Sequence, residues 1–262
     1  MEKLFIENRN GQKISVLVEG TKNSKELAFV MHGLGGFKEQ KHIETFASAF
    51  KKRGFTVVRF DTTNTFGESG GSYEDATVTN YFEDLEDVIE WASNQNWYVE
   101  PFWFAGHSLG GICTALYATK YPSKVKALAP ISTVVSGKLS LEKLRKTKPE
   151  ELKEWEETGF RIEPSISKPG LMKKLKWNQH IQDRLKYDLI KDASELTMPV
   201  LMIVGDLDSS TPLYQQELLY QKLPGDKELH VIKGAPHTFK EKEHLHEISL
   251  IFDKWITKVI SK

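Results

Sequence analysis

Gly106-His107-Ser108-Leu109-Gly110 is the run of residues in this chain with the clearest chemical meaning. Before it stands an apolar segment, Phe102-Trp103-Phe104-Ala105, that reads as a buried strand. After it Ile112, Ala115, Leu116 and Ala118 recur at helical spacing up to Tyr121-Pro122. Strand, G-x-S-x-G and helix in that order describe a nucleophile elbow. The serine must sit on a turn sharp enough to strain its backbone. Side chains at the flanking positions would clash with neighbouring strand and helix, so glycine fits there. Ser108 then projects alone from the strand end. The amide of Leu109, at the helix start, points at the same spot and can bind negative charge.

A serine nucleophile needs a base, an orienting acid and a second oxyanion donor. The chain has eight histidines. His237 stands out by location, in a loop just after the apolar run Leu229–Ile232. His230 falls inside that run, and His244 and His246 fall on a terminal amphipathic helix where a solvated face is the default. The acid follows Val200–Val204 in Gly205-Asp206-Leu207-Asp208, where two carboxylates compete. Asp206 could cap the turn; Asp208 lies further along, within reach of a neighbouring loop. Leu27–Met31 runs into His32-Gly33-Leu34-Gly35-Gly36, whose glycines let the backbone approach the nucleophile. The Leu34 amide is the expected partner of the Leu109 amide. No P-loop lysine–serine pair follows these glycines, and they do not match G-x-G-x-x-G.

The elements that must position these residues follow from hydrophobic pattern. Residues 3–18 read as a β-hairpin turning at Asn8-Arg9-Asn10-Gly11. Leu27–Met31, Thr56–Phe60, Phe102–Ala105, Val125–Ala129, Val200–Val204 and Leu229–Ile232 are short, mostly uninterrupted apolar runs. Between them helical faces recur, such as Tyr81, Phe82, Leu85, Val88, Ile89 and Ala92. The alternation predicts an α/β fold, a mostly parallel sheet with helices on both faces. From Gly137 to about Ser194 the rhythm breaks. That segment is rich in Lys and Glu and reads as two or three amphipathic helices around a loop at residues 163–170. The expected organisation is a core of residues 1–136 and 195–262 with a helical cap, or lid, at 137–194. Trp155 and Trp177 are its candidate substrate-binding residues.

Bulk composition narrows the function. The chain has 262 residues, with Lys+Arg and Asp+Glu both at 36. That balance offers no global argument for nucleic acid or an anionic membrane. Cys113 is the only cysteine, so no intrachain disulfide or cysteine-rich zinc site is expected. No apolar stretch approaches a membrane span, and the N-terminus lacks the pattern of a secretory signal. The expectation is a cytoplasmic enzyme acting on a small-molecule ester, without nucleic acid, metal or organic cofactor; oligomeric state is not encoded in these features.

The chain resembles the α/β-hydrolase superfamily. The resemblance rests on the order His32-Gly33, Gly106-His107-Ser108-Leu109-Gly110, Gly205-x-x-Asp208 and His237, and covers nearly the whole chain. It implies that the acid is Asp208, three positions after the glycine that ends its strand, and not Asp206. The opening hairpin, the small helical insertion and Phe66-Gly67-Glu68-Ser69-Gly70-Gly71 are similar to bacterial cinnamoyl or feruloyl esterases. Serine aminopeptidase-like and monoacylglycerol lipase-like hydrolases share these features. Thr62-Thr63-Asn64-Thr65 after Asp61 departs from the pattern. The implied activity is a serine carboxylesterase with Ser108, Asp208 and His237 as its triad. The alternatives are a peptidase or thioesterase with the same triad, or an inactive binding protein of the same fold.

Overall fold

The computed structural model describes residues 1–21 and 24–261. In chain order the strands and α-helices are β1 (Glu2–Glu7), β2 (Lys13–Gly20), β3 (Leu27–Met31), α1 (Lys41–Lys52), β4 (Thr56–Asp61), α2 (Val78–Ser93), β5 (Phe102–His107), α3 (Leu109–Lys120), β6 (Val125–Ile131), α4 (Gly137–Thr147), α5 (Pro149–Thr158), β7 (Phe160–Pro164), β8 (Met172–Lys176), β9 (Val200–Gly205), α6 (Leu213–Lys222), β10 (Lys227–Ile232) and α7 (Lys242–Ile260). Eight strands form one sheet in the order β1-β2-β4-β3-β5-β6-β9-β10. From β4 to β10 every pairing is parallel; β1 and β2 join antiparallel at one side.

Parallel strands need crossovers, and those crossovers cover both faces of the sheet. The strands are therefore apolar on both sides. In β3, Leu27, Phe29 and Met31 join the core beneath α2 and α3, while Ala28 and Val30 join the core beneath α1 and α7. In β5, Phe102 and Phe104 face the first layer and Trp103 and Ala105 the second. This period-two division explains why these strands read as unbroken apolar runs. The opening hairpin turns where its sequence signal lies. Gly11 has φ of 71°, and the Asn8 side chain accepts the amides of Asn10 and Gln12 at 3.0 and 2.9 Å.

The segment between β6 and β9 differs from expectation. It contains the helices α4 and α5, but also an antiparallel hairpin, β7–β8, pairing Phe160 with Lys176 through Pro164 with Met172. The seven residues 165–171 between these strands make its loop. One turn of π-helix, Asn178–Gln182, and short 3-10 turns complete the segment. Lysine-rich strands in a two-stranded ribbon bury little, so they lack the apolar runs that reveal the main sheet. The hairpin is held instead by cross-strand charge, Glu163 pairing with Lys173 at 2.5 Å, and by Trp155, whose indole N–H donates to the Leu175 carbonyl at 2.6 Å.

Candidate active site

Ser108 stands between the last residue of β5 and the first of α3, with φ of 55° and ψ of −111°. This left-handed backbone is costly for a non-glycine residue and persists only where its surroundings enforce it. They do so here. The Ser108 amide donates to the Ile131 carbonyl at 2.9 Å, and its carbonyl accepts from Val134 and Ile112 at 3.2 Å each. The flanking glycines are steric requirements. A Cβ on Gly106 would lie 2.3 Å from the Gly110 carbonyl oxygen, and one on Gly110 would lie 2.4 Å from that of His32. A Cβ on Gly33 would come within 3.0 Å of the Ser108 Cβ.

The structure brings Ser108, His237 and Asp208 together. Ser108 Oγ lies 2.9 Å from His237 Nε2, and His237 Nδ1 lies 2.9 Å from Asp208 Oδ2. An ionised carboxylate only accepts, so Nδ1 carries the proton and Nε2 is left to accept from the serine hydroxyl. Asp208 is almost fully buried. Burial pushes its carboxyl up, but the hydrogen bond and charge of His237 and the amides of Thr211 and Ser210 outweigh that and hold it well below the usual range. Those amides donate to Oδ1 at 2.9 and 2.8 Å. The competing carboxylate, Asp206, has a different partner: it accepts the Gly234 amide at 2.7 Å and braces the loop that carries His237.

Three residues that sequence reasoning did not assign to the site hold it in place. His107 donates Nε2–H to the His237 carbonyl at 2.9 Å. Burial first, then the neighbouring His237, pushes its pKa down to about 3, so it is a neutral donor at pH 7. His32 donates Nδ1–H to the Gly33 carbonyl at 2.8 Å and accepts the Thr62 amide at 3.1 Å, which fixes the glycine loop against the strand β4 end. The Thr211 hydroxyl lies 2.9 Å from Asp208 Oδ2 and 2.8 Å from the Ser132 carbonyl. The advance signals were position and motif: His107 is the second residue of the elbow, His32 opens the glycine run, and Thr211 follows Asp208 by three.

A cavity of about 440 Å³ opens in front of Ser108. Gly33, Leu34, Leu109 and His237 line one wall. Leu109 is the first residue of α3, so its amide has no acceptor within that helix. The opposite wall comes from the segment between β6 and β9 and includes Trp155, Arg161, His180 and Arg184. Trp177 does not line the cavity; it stands behind Trp155, ring edge to ring face at 5.7 Å. Cys113 is buried in α3, and burial raises its thiol well above the ordinary value. Among the described residues no group of three His, Cys, Asp or Glu is placed to hold a metal ion. No helix among them is long and apolar enough to cross a membrane.

Residues 22–243 match the family model described as serine aminopeptidase, S33. The chain belongs to that family. The S33 match is accompanied by distant curated relatives. A proline iminopeptidase of Flavobacterium johnsoniae is 25% identical over 244 residues, covering 74% of this chain and 78% of that protein. The mitochondrial palmitoyl-protein thioesterase ABHD10 of Bos taurus is 25% identical over 219 residues, covering 80% of this chain and 66% of that protein. Among solved structures, Est1E from Butyrivibrio proteoclasticus with bound ferulic acid superimposes with a TM-score of 0.81, at 22% identity, over 99% of this chain and all of that one (100%). The fold is that of the α/β-hydrolases, and the S33 chain is a hydrolase of the esterase, peptidase or thioesterase type.

Proposed function

We propose that the protein is a serine carboxylesterase that cleaves a small or medium ester through an acyl-enzyme on Ser108. The observation that carries this reading is the continuous relay from Ser108 Oγ through His237 to Asp208, with both links at 2.9 Å, at the edge of the cavity. His237 Nε2 takes the Ser108 proton as Oγ bonds to the ester carbonyl carbon. The amides of Leu34 and Leu109 hold the oxyanion. Collapse of the tetrahedral intermediate breaks the bond to the leaving alcohol, which receives the proton from His237. Water then attacks the acyl-enzyme as its proton passes to His237, and on collapse His237 returns that proton to the departing Ser108 Oγ, releasing the acid and free Ser108. Asp208 keeps the imidazole in the reactive tautomer throughout.

The cavity falls within the ordinary range for a small-molecule site, and the Est1E structure holds a carboxylic acid on the same fold. Residues 137–194 act in this reading as the cap that forms the specificity wall, with Trp155 on its surface and Trp177 as its support. The test is labelling with a fluorophosphonate followed by intact mass. One adduct on the native chain and none on Ser108→Ala is the expected result; a full adduct on that variant would remove Ser108 from the mechanism. Turnover of matched oxyester, thioester and amide substrates then ranks the leaving groups. The oxyester should lead, and a leading thioester or amide would move the activity to the corresponding class.

A further inference from the structure

The cap-side wall of the cavity carries charge that the mechanism does not use. Five cations line the cavity, Lys143, Lys148, Arg161, Lys173 and Arg184, against one carboxylate, Glu163. Three of them are answered. Lys173 and Arg161 share Glu163 at 2.5 and 2.8 Å, and Lys148 pairs with Glu151 at 2.9 Å. Lys143 and Arg184 form no ion pair among the described residues. Burial pulls both below their ordinary values, as expected for cations short of a counter-charge.

Unpartnered donor atoms converge on the same wall. Arg161 Nε, Arg184 Nε, His180 Nε2 and Tyr73 Oη are buried and have no hydrogen-bond partner among the described residues. All four side chains line the cavity. His180 is neutral, its pKa pushed down to about 3 by burial and then by Arg184. Tyr73 stays a phenol because burial raises it. A buried donor without an acceptor costs free energy, and these four, one of them on the unpaired cation Arg184, together with the unpaired Lys143 form a surface complementary to one kind of group. Tyr73 also packs on the Gly35 loop beside Leu34, which ties this wall to the oxyanion end of the site.

We infer that this end of the cavity is a subsite for an anionic group, a carboxylate or a phosphate, carried by the substrate, with Arg184 and Lys143 as its charge partners and Tyr73 and His180 as donors. Planar guanidinium and carboxylate or phosphate match in geometry, and charge-assisted bonds to them are among the stronger hydrogen bonds. The inference rests on the serine-esterase reading and makes the substrate an ester with an acidic tail.

The test uses two matched series: p-nitrophenyl esters whose acyl chain ends in methyl, carboxylate or phosphate, and butyrates of alcohols with the same three endings. kcat/KM is measured for the native chain, Arg184→Gln, Lys143→Gln and the exposed control Lys153→Gln. In one series an anionic member should exceed its neutral counterpart by about tenfold or more, the order of one charge-assisted bond. That ratio should fall by about tenfold in Arg184→Gln or Lys143→Gln and hold in Lys153→Gln. Whichever of carboxylate and phosphate leads names the anion. A neutral preference in both series, or a ratio untouched by both variants, overturns the subsite. Calorimetric titration of glutarate and of inorganic phosphate into Ser108→Ala reads the subsite without turnover. If the native chain hydrolyses no ester but this binding occurs and is lost in Arg184→Gln, the esterase reading fails while the subsite stands. If neither anion binds and no anionic ester is preferred, the subsite fails.

Discussion

The sheet-side loops around the site and the segment between β6 and β9 treat buried polar groups in opposite ways. On the sheet side, charges are closed within the protein. Lys38 has no solvent exposure, yet its ammonium meets Asp61 at 2.7 Å, Glu68 at 2.7 Å and Glu39 at 3.0 Å. Asp208 likewise meets His237, Thr211 and Ser210. On the cap side, Arg184 and Lys143 face the cavity with no ion pair among the described residues, next to unpartnered donors on His180 and Tyr73. A closed network rigidifies the groups it contains, whereas an open one is completed from outside. In the proposed reading, the sheet-side loops carry out the reaction and the segment between β6 and β9 recognises the substrate.

The largest effect that could break this division is on turnover. Asp208→Asn leaves the geometry in place but lets the His237 tautomer reverse. We expect kcat to fall by about 10³–10⁴-fold, measured on a neutral ester so that the cap-side charges do not contribute. Asp206→Asn keeps an oxygen for the Gly234 amide and should cost about tenfold at most. A mild Asp208→Asn with a severe Asp206→Asn would exchange their roles.

Stability gives the next contrast. Lys38→Met strips a buried carboxylate, Asp61, of its counter-ion, and removal of one partner from a buried pair costs about 3–5 kcal/mol. Arg184→Met removes a cation that has no ion-pair partner to strand, so its denaturant midpoint should stay level or rise. Equal losses in the two variants would make the cap-side cations structural and dissolve the comparison.

Acid should act on both walls. His107 and His180 are each pushed down to about 3, chiefly by burial, so the unfolded chain takes up protons that the folded chain refuses. A histidine with a depressed folded pKa gives its full contribution above about 6.5 and loses it as pH falls toward 3. Each costs at most about 1.4 kcal/mol per pH unit in that window. His107 faces His237, His32 and Asp208; His180 faces Arg184, Lys173, Arg161 and Asp183. His180→Gln should therefore flatten the stability curve between pH 6.5 and 5, as followed by urea unfolding. An unchanged slope would mean that His180 charges freely in the folded chain.

The sheet side was legible in the sequence because its information is local. Buried strands such as Leu27–Met31 are unbroken apolar runs since both faces are covered, and Ser108 carries its own glycines beside it. Asp208 and Asp206 could not be separated by spacing alone; the direction each side chain takes, toward His237 or toward Gly234, is set by the loop and not by the residue type. The cap wall was illegible because its cations come from separate pieces: Lys143 from α4, Arg161 from β7, Lys173 from β8 and Arg184 from the turn after the π-helix. No periodicity links them, and each alone reads as a solvated charge. The hairpin β7–β8 escaped notice for a related reason. Its exposed Phe160 and Ile162 and its lysines give no buried run to detect.

The smallest effect separates two tryptophans that the sequence could not tell apart. Trp155 lies on the cavity wall, anchored by its indole bond to Leu175 and covered by the Arg161 guanidinium at 4.5 Å from its ring. Trp177 touches it edge-on from behind. A contact of about one methylene in an apolar pocket is worth roughly 1–3 kcal/mol of discrimination. Trp155→Phe removes more than that from the wall itself, and also frees the Leu175 carbonyl. It should therefore reorder neutral esters of increasing acyl length, by about tenfold in relative kcat/KM. Trp177→Phe withdraws support without changing the surface that substrate meets. It should lower the melting temperature while shifting relative kcat/KM by no more than about threefold. Both variants keep an aromatic ring, so the fold is retained and the two readouts can be compared on the same preparations. If Trp177→Phe reorders the esters as strongly as Trp155→Phe, the wall is too compliant for the first rank of residues to define specificity, and the pocket's selectivity belongs to the packing of the whole segment.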